Sequence, residues 1–434
     1  MASSESLETN NDLISIMPAI VTDKILKHLP LKIAAKTSIL SRTWRRIWLS
    51  CPYLTFDETF WAGFHNVDST TDWQKGSCII NNILLHHNAS IHSFYVVLKP
   101  NNADADLLVD KNASLSQWLS VLAKTCTRKL VLRNCARKWH NLVILTSYIF
   151  HCTKLTKLRL HCFVLIAPPF DFKGFPHLKH LELYFMKFNR GLDMLWSIIA
   201  KCPCLVFLRL DNCLGVDILN VDAPRLEKLI IRGISDSLCL KKAPRLTDVL
   251  LCSINSKMKG IKTVVATIKS LSSSYNLQSL EIEGNLSKLL AAGGINKSLP
   301  VAFNCLHRLC LAKLDLSDSD VFCFTHGMLQ SCPVLRDLEI SIISPSNAVG
   351  HSNVHQSNHY NYELRKLQKV KITGITGSSA ELKFIEYVLA KSVVLEIMFF
   401  KCGKQDVVSE HKVLKQLIRF PRASTKAQFV YMEE

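Results

Sequence analysis

Residues 152–160 read CTKLTKLRL, residues 175–183 read FPHLKHLEL, and residues 202–210 read CPCLVFLRL. These stretches share the template L-x-x-L-x-L, which recurs along the chain at intervals of 20 to 32 residues. Further copies start at Leu226, Leu246, Leu277, Leu306, Leu335 and Leu367, a degenerate first copy starts at Thr127, and the last copy comprises Val394, Ile397 and Phe399. Side chains alternate along a strand, so the last two leucines of a copy lie on the same face. One copy cannot bury that face alone, and we therefore expect the copies to stack.

A second position of the repeat supports this interpretation. The residue three places after the last apolar residue of each copy is never charged: Cys135, Phe163, Met186, Cys213, Ile234, Ile254, Asn285, Leu314, Ile343, Ile375 and Cys402. The pattern resembles the leucine-rich repeat, in which this position turns the chain inward after the strand. The resemblance implies an α/β repeat fold, a solenoid with a curved parallel sheet inside its bend.

Residues 11–51 read NDLISIMPAIVTDKILKHLPLKIAAKTSILSRTWRRIWLSC and predict three short helices. Pro18 suits the first turn of a helix that Pro30 ends, and Leu31–Lys36 predict a second helix. Ser41 is a natural cap for the third helix, in which Trp44 and Trp48 belong to one apolar stripe. About forty residues bury too little surface to hide all these apolar side chains, so we expect some of them to contact a partner.

This segment resembles an F-box. The matching residues are Met17-Pro18, Ile25-Leu26-Lys27-His28-Leu29-Pro30, Thr37-Ser38-Ile39-Leu40-Ser41 and Trp44-Arg45-Arg46-Ile47-Trp48. Two positions depart from the F-box pattern: Met17 replaces a leucine, and Ala19-Ile20 stand where an acidic residue is common. The resemblance implies binding to a SKP-like adaptor and, through it, to a cullin. The adaptor contacts are then expected at Met17, Pro18, Val21, Ile25, Leu26, Leu29, Pro30, Leu40, Trp44 and Trp48.

The C-terminal part resembles the FBD segment of plant proteins, in residues 367–372, 381–390, 394–398 and 420–424. The resemblance to plant F-box/FBD/leucine-rich-repeat proteins thus covers most of the chain. It divides the chain into a disordered tail (1–10), the F-box (11–51), a linker and N-terminal cap (52–125), leucine-rich repeats (126–345), a mobile polar loop (346–361) and an FBD-like segment (362–434) that completes the solenoid. Within the linker we expect a strand at residues 91–96 and a helix at residues 115–123 that covers the open end of the array.

Composition restricts the class of protein. The formal net charge is +18, but the 53 Lys and Arg residues are scattered rather than clustered. That pattern favours a solvated positive surface or an acidic partner over a nucleic-acid track. Residues 1–16 carry no secretory signal and no apolar run of about 18 residues occurs, so we expect an intracellular protein, cytoplasmic or nuclear, without a membrane span. Its 16 cysteines are then expected to be reduced.

The sequence offers little catalytic chemistry. Cys202-x-Cys204 and the pairs His151-Cys152 and His161-Cys162 raise the alternative of a zinc site. However, Cys152, Cys202 and Cys332 stand three places before the first leucine of a copy, where other copies have Phe or Ala, and packing explains them. Gly293-Gly294 lacks the Lys and Ser/Thr of a phosphate-binding loop. We therefore predict no catalytic residue, no metal and no cofactor.

Residues next to the inward leucines are expected to face outward along the sheet. The early copies place basic residues there, and we predict that they bind the target: Lys129, Arg133, Lys157, Arg159, His161, Arg209, Lys228 and Arg232. The later copies place Asp248, Glu281, Glu283, Asp337 and Glu339 there, which predicts an acidic second half. The expected target is acidic or phosphorylated.

The resemblance thus implies a substrate-recognition subunit of an SCF-type ubiquitin ligase, without catalytic activity of its own. Two alternatives remain open. One is a basic repeat scaffold or co-receptor that holds a small anionic ligand, and the other is a nucleic-acid-binding repeat protein without a ligase role.

Overall fold

A computed structural model describes residues 17–64, 69–98, 105–135, 142–189, 192–214, 218–233, 237–253, 271, 276–284, 286–292, 302–343, 362–403 and 407–432. The chain divides into two compact units, the first with residues 1–180 and 185–189, the second with residues 181–184 and 190–434. The predicted tail (1–10) and polar loop (346–361) lie outside the described residues, as do Ile234, Ile254 and Asn285.

The first unit begins with the predicted short helices. They are α1 (Ala19–His28), α2 (Leu31–Lys36) and α3 (Arg42–Leu49). Pro18 and Pro30 directly precede α1 and α2, because proline has no N–H to lose at a helix start. Ser41 Oγ accepts a hydrogen bond from the Trp44 N–H at 3.1 Å and caps α3 as predicted.

Parallel strands follow directly. In chain order the elements are β1 (Tyr53–Phe56), α4 (Glu58–Trp61), α5 (Ser69–His86), β2 (Ser93–Leu98), α6 (Ala105–Lys124), β3 (Lys129–Asn134), β4 (Val143–Leu145), β5 (Lys157–His161), β6 (Phe163–Leu165), β7 (His180–Tyr184) and β8 (Lys187–Phe188). Strands β1, β2, β3 and β5 pair in that order, and β4, β6 and β8 form a small second sheet. Strand β7 belongs to the second unit from Leu181 onward.

The sequence predicted a linker and N-terminal cap for residues 52–125, with a strand at 91–96, and the structure has β2 close to that strand and places β1 and β2 in the sheet. Strand β1 pairs with β2 and β2 pairs with β3, and the inward residues Leu54, Phe56, Phe94 and Val96 are at most 1% exposed. The predicted helix at 115–123 exists as the second half of α6, but α6 contacts β4 rather than the end of the sheet. Helices α1 and α2 contact the edge strand β1.

The second unit continues the same plan. Its further elements are α7 (Leu192–Ala200), β9 (Phe207–Asp211), β10 (Ile218–Asp222), β11 (Lys228–Arg232), β12 (Ser237–Lys242), β13 (Asp248–Ser253), β14 (Ser279–Gly284), α8 (Leu286–Ala292), β15 (Arg308–Leu314), α9 (Ser319–Gln330), β16 (Asp337–Ile342), β17 (Lys369–Ile375), α10 (Ser379–Lys391), β18 (Ile397–Cys402), α11 (Val407–Arg419) and β19 (Gln428–Tyr431). The strand order is β7-β9-β11-β13-β14-β15-β16-β17-β18-β19, with β10 and β12 paired separately. From β9 to β19 all neighbours are parallel.

The inward residues of the repeat form the core, with one shift of register. Leu208 and Leu210 of β9 are 0% and 2% exposed, which confirms the template. In the last copy the buried residues are Leu395, Met398 and Phe400, whereas Val394 is 43% exposed. The prediction of Val394, Ile397 and Phe399 was wrong by one residue. The stretch VVLEIMFF has an apolar residue on both faces, and pairing of Met398 with Val370 decides which face is buried.

The turn after each strand also takes two forms. Cys162, Phe185, Asn212 and Lys313 have φ between 49° and 61°, and Gly233 and Gly374 have φ of 82° and 80°. In four of these copies the next residue, Phe163, Met186, Leu314 or Ile375, is completely buried, as predicted. In β3 and β16 the inward residue comes one place earlier, at Asn134 and Ile342, so Cys135 is half-buried and Ile343 is 43% exposed. The predicted inward positions of Cys135 and Ile343 are corrected accordingly.

Gly374 is expected to tolerate no side chain. It has φ of +80°, and a Cβ there would overlap the carbonyl oxygen of Ile342 on β16. We expect Gly374→Ala to destabilise the second unit by about 2 kcal/mol or more, because alanine is strained in the left-handed region and the overlap adds to that cost. Urea unfolding followed by circular dichroism measures it. The control is Gly63→Ala, where the nearest atom is 3.5 Å away and φ lies outside the left-handed region; equal shifts in both variants would contradict the assignment.

His326 of α9 is a buried neutral base. It is 1% exposed, its Nδ1 shares a hydrogen bond of 2.9 Å with the Tyr362 hydroxyl, and its ring lies 5.4 Å from that of Phe384. Burial lowers its pKa from the ordinary 6.5 to about 4. In the unfolded chain the imidazole takes up a proton more readily than in the folded chain.

Stability should therefore be complete above pH 6.5 and decline progressively as the pH falls towards 4. The loss at this residue is on the order of 3 kcal/mol. We expect His326→Phe, which keeps the aromatic packing, to flatten the stability profile between these two pH values. Chemical unfolding at several pH values checks this, and an unchanged slope in the variant would show that other groups carry it.

Candidate functional site

The F-box segment has its own small core. Its buried members are Leu26, Ala34, Trp44, Trp48 and Cys51, and Leu29, Ile47, Tyr53 and Ile83 pack against them. Leu26, Trp44 and Trp48, which the sequence placed among the adaptor contacts, thus lie at 3%, 5% and 9% exposure in the interior. Residues this deeply buried support the surface from inside the module. Leu29 is half-buried.

The other predicted adaptor contacts lie at the surface. Met17, Val21, Ile25 and Leu40 are 38%, 39%, 37% and 71% exposed, and Pro18 and Pro30 are exposed as well. The sequence prediction omitted Ile20, Ile33 and Ile39, which are 71%, 45% and 79% exposed. Ile39 ends a 3₁₀ turn (Thr37–Ile39) directly before Leu40. We call Met17, Ile20, Val21, Ile25, Ile33, Ile39 and Leu40 the apolar F-box surface.

The F-box helices are attached directly to the first strand of the first unit. Lys27 Nζ lies 5.2 Å above the Tyr53 ring, and the Asn88 N–H donates to the Leu49 carbonyl at 2.9 Å. His87 Nε2 forms a hydrogen bond of 2.9 Å with the Cys51 carbonyl. Since Tyr53 and Ile83 also complete the F-box core, the module and the strands β1 to β5 form one body within the first unit.

Five of the predicted target-binding residues lie together in the first unit. Lys129 stands beside Lys157, and Arg133 beside His161, in the parallel pairing of β3 and β5. Arg159 lies between them on β5. All five face away from the buried leucines, with Lys129 and Arg133 exposed and the other three half-buried. Arg133 pairs with Glu58 at 2.9 Å, but both side chains are about half exposed or more and such pairs contribute little. We call these five residues the first-unit basic face.

The predicted residues of the second unit have a different environment. Arg209 pairs with Asp211 at 3.0 Å and lies 4.8 Å above the Tyr184 ring, and Arg232 pairs with Glu283 at 3.5 Å. These guanidinium groups already have carboxylate partners, which reduces the charge available to a target. Lys228 is exposed beside Asp248 on β13. The sequence pattern showed the cations but not that Asp211 on the same strand and Glu283 on β14 would pair with them.

The expected acidic second half is also corrected. Glu339 accepts hydrogen bonds from Lys371 at 2.6 Å and Arg308 at 3.2 Å, both on neighbouring strands. Burial alone would raise the pKa of Glu339, but these two cations lower it below its usual value. The outward face of the second unit is therefore of mixed charge, because Arg308 and Lys371 alternate with the glutamates.

The cysteines considered for zinc are packing residues. Cys202 is 1% exposed and donates to the Ile198 carbonyl at 3.1 Å, and burial raises the pKa of Cys152 to about 12. Within the described ranges, His, Cys, Asp and Glu side chains do not converge in a group of three suited to a metal ion. Nor does any helix in the described part of the chain combine the length and apolar character needed to cross a membrane.

Three family models match the chain. A model of the F-box domain matches residues 14–56, a model described as "FBD-associated F-box protein At5g56370, LRR repeats" matches residues 115–273, and a model of the FBD matches residues 364–400. These matches agree with the segments that carried the resemblance in the sequence.

Whole-length relatives show the same combination. F-box/FBD/LRR-repeat protein At1g13570 of Arabidopsis thaliana is 27% identical over 98% of this chain and 99% of its own length. F-box/LRR-repeat protein 13 of the same plant is 27% identical over 97% of this chain and 96% of its own. The chain therefore contains an F-box domain, leucine-rich repeats and an FBD segment, and its homologues are the F-box/FBD/LRR-repeat proteins of Arabidopsis thaliana.

Proposed function

We propose that this chain is the substrate-recognition subunit of an SCF-type cullin-RING ubiquitin ligase. The F-box binds a SKP-like adaptor, which connects it to a cullin, and the repeats bind the protein to be ubiquitinated. The observation that carries the proposal is the apolar F-box surface. Ile20, Ile39 and Leu40 are each more than 70% exposed, on a module whose interior is already filled by Leu26, Trp44 and Trp48. Such a surface is unfavourable in water and is typical of a contact with another protein.

The proposed role requires no bond-making residue in this chain. A receptor accelerates ubiquitin transfer by holding the target near the charged carrier, which raises its effective concentration. A rigid connection between the adaptor site and the target site suits this role, since a flexible connection would lower the effective concentration of the target at the carrier. The direct packing of Tyr53 and Ile83 on the F-box core supports such a connection within the first unit. We propose the cytosol or the nucleus as the compartment.

For the target site we propose the first-unit basic face. Its residues lie on the adjacent strands β3 and β5 of the unit that holds the F-box, so that five basic side chains stand side by side on one face. Lysine and arginine pair strongly with carboxylate and phosphate groups, which favours an acidic or phosphorylated target segment. Nucleic-acid binding remains the alternative of another class, and strongly salt-dependent binding to arbitrary duplexes would favour it.

A test of adaptor binding uses the apolar F-box surface. We expect the double variant Ile39→Glu/Leu40→Glu to weaken adaptor binding by about a hundredfold or more, because it places two charges in an apolar interface. Both residues are over 70% exposed, so the fold should persist. Isothermal titration of the full chain with a purified SKP-like adaptor gives the affinity, and circular dichroism checks the fold.

The matched control is Val408→Glu, an equally exposed apolar residue on α11 (78%), which should leave adaptor affinity unchanged. Trp44→Ala provides a contrast, since it should unfold the module by opening a cavity and lose adaptor binding indirectly. Unaltered affinity in the Ile39/Leu40 variant would remove the F-box proposal.

A test of target binding uses the first-unit basic face. We expect charge reversal at Lys129, Lys157 and Arg159 to abolish target capture while adaptor binding is retained, because the reversed charges repel acidic groups. Quantitative mass spectrometry of proteins co-purified from plant extract with wild type and variant measures both. Reversal of the exposed Lys173 and Lys179 of the first unit is the control. Equal recovery of the target by the two variants would show that the basic face does not select it.

A further inference from the structure

A groove lies between the two last helices of the second unit. It has a volume of about 620 Å³ and is lined by one stripe of α10, at positions 379, 382, 383 and 386, by one stripe of α11, at positions 412, 413, 416 and 419, and by Phe420 directly after α11. These spacings of three, four and seven residues put each set on a single helix face. The volume is within the range of ligand-binding clefts.

The turn before α10 fixes one end of this groove. Glu381 is 2% exposed, and its carboxylate accepts the N–H groups of Thr376 and Gly377 at 2.8 and 2.9 Å. Ser378 Oγ in turn accepts the Glu381 N–H at 3.4 Å, which resembles a capping box. Gly377 has φ of +87°, and a Cβ there would lie 2.5 Å from the Val413 side chain. The turn and α11 are thus in close contact, and this contact fixes the position of α11 relative to the start of α10.

The floor of the groove is apolar and its rim is cationic. Val413 is 5% exposed, and Leu382 and Phe420 are half-buried beside it. Lys383, Lys412 and Arg419 are exposed at the rim, with Glu386 as the carboxylate among them. None of the three cations has an ion-pair partner in the part of the chain that the structure describes. On the sheet face of the same unit, by contrast, Arg209, Arg232 and Lys371 are all paired.

Unbalanced positive charge around an apolar floor selects a ligand that is both acidic and apolar. Positions 412 and 419 are two helical turns apart, about 10 Å, so a single phosphate or carboxylate cannot satisfy both. An extended peptide advances about 3.3 Å per residue, so three steps along it, from a carboxylate at one position to a carboxylate three positions later, cover that distance with an apolar residue between them. A nucleic-acid strand would need a longer row of cations than this groove provides.

We propose that the groove between α10 and α11 binds an acidic peptide segment of a partner protein. An apolar side chain of the segment lies on Leu382, Val413 and Phe420, and flanking carboxylates pair with Lys383, Lys412 and Arg419. This surface is separate from the apolar F-box surface and from the first-unit basic face. The proposal does not depend on ligase function, and its test contains no adaptor.

The probe is a fluorescein-labelled heptapeptide DLEDLED, with NLQNLQN as the uncharged match. With the full chain, fluorescence anisotropy should give a Kd of about 10 to 100 μM for DLEDLED and at least about tenfold weaker binding for NLQNLQN. The double variant Lys412→Glu/Arg419→Glu should weaken DLEDLED binding by at least about tenfold, because both rim contacts become repulsive.

The matched control is Lys415→Glu, which removes an exposed cation from α11 outside the groove and should change the Kd by less than about twofold. All substituted positions are exposed, so circular dichroism should show an unchanged fold. Absence of saturable binding, equal affinity for the two peptides, or an equal loss in Lys415→Glu would each overturn the proposal. The first two would exclude charge-directed peptide binding, and the third would show general electrostatic attraction.

Discussion

In each copy of the repeat, two side chains of a short strand point to the core and the residue between them points out. Leu130 and Leu132 are buried while Val131 between them stays half-exposed, and the parallel neighbour repeats this arrangement with Leu158 and Leu160. The alternation is imposed by strand geometry, and register with the neighbouring strand fixes which face is buried. It builds the interior of each unit and at the same time lines up the outward residues, such as Lys129 beside Lys157. Stability and recognition surface thus come from the same constraint.

The F-box depends on this arrangement as well. Its short helices supply Leu26, Trp44 and Trp48 to a core that is completed by Tyr53 of β1 and Ile83 of α5. A module of this size buries little surface alone, and contacts with Tyr53 and Ile83 add to the buried surface. The tryptophans therefore lie in the interior, whereas the isoleucines of α1, α2 and the following turn are exposed. The proposed docking surface and the stacked strands are connected through this shared core.

Much of this could be predicted from the sequence where a periodic signal exists. The inward leucines, the capping role of Ser41 and the first short helices follow from spacing and local chemistry. Prediction failed at Val394 and Leu395, because an apolar residue stands on both faces of that strand. It also failed at Ile343, because no residue of β16, which the structure describes in full, has positive φ, and the buried position comes one residue earlier than in four other copies. The sequence also did not show that Trp44 and Trp48 lie in the core, since spacing within a motif does not distinguish a core residue from a surface residue. The groove between α10 and α11 gave no signal, because Lys412 and Arg419 follow no repeat template and only the packing of two helices brings them to one cleft.

The central claim is that the apolar F-box surface is completed by another polypeptide. Hydrogen–deuterium exchange of the full chain, with and without a saturating SKP-like adaptor, tests it most directly. The account predicts slower exchange in peptides covering residues 17–40 on addition of the adaptor, with α10 and α11 unaffected. Exchange that stays the same across residues 17–40 at saturating adaptor would contradict it.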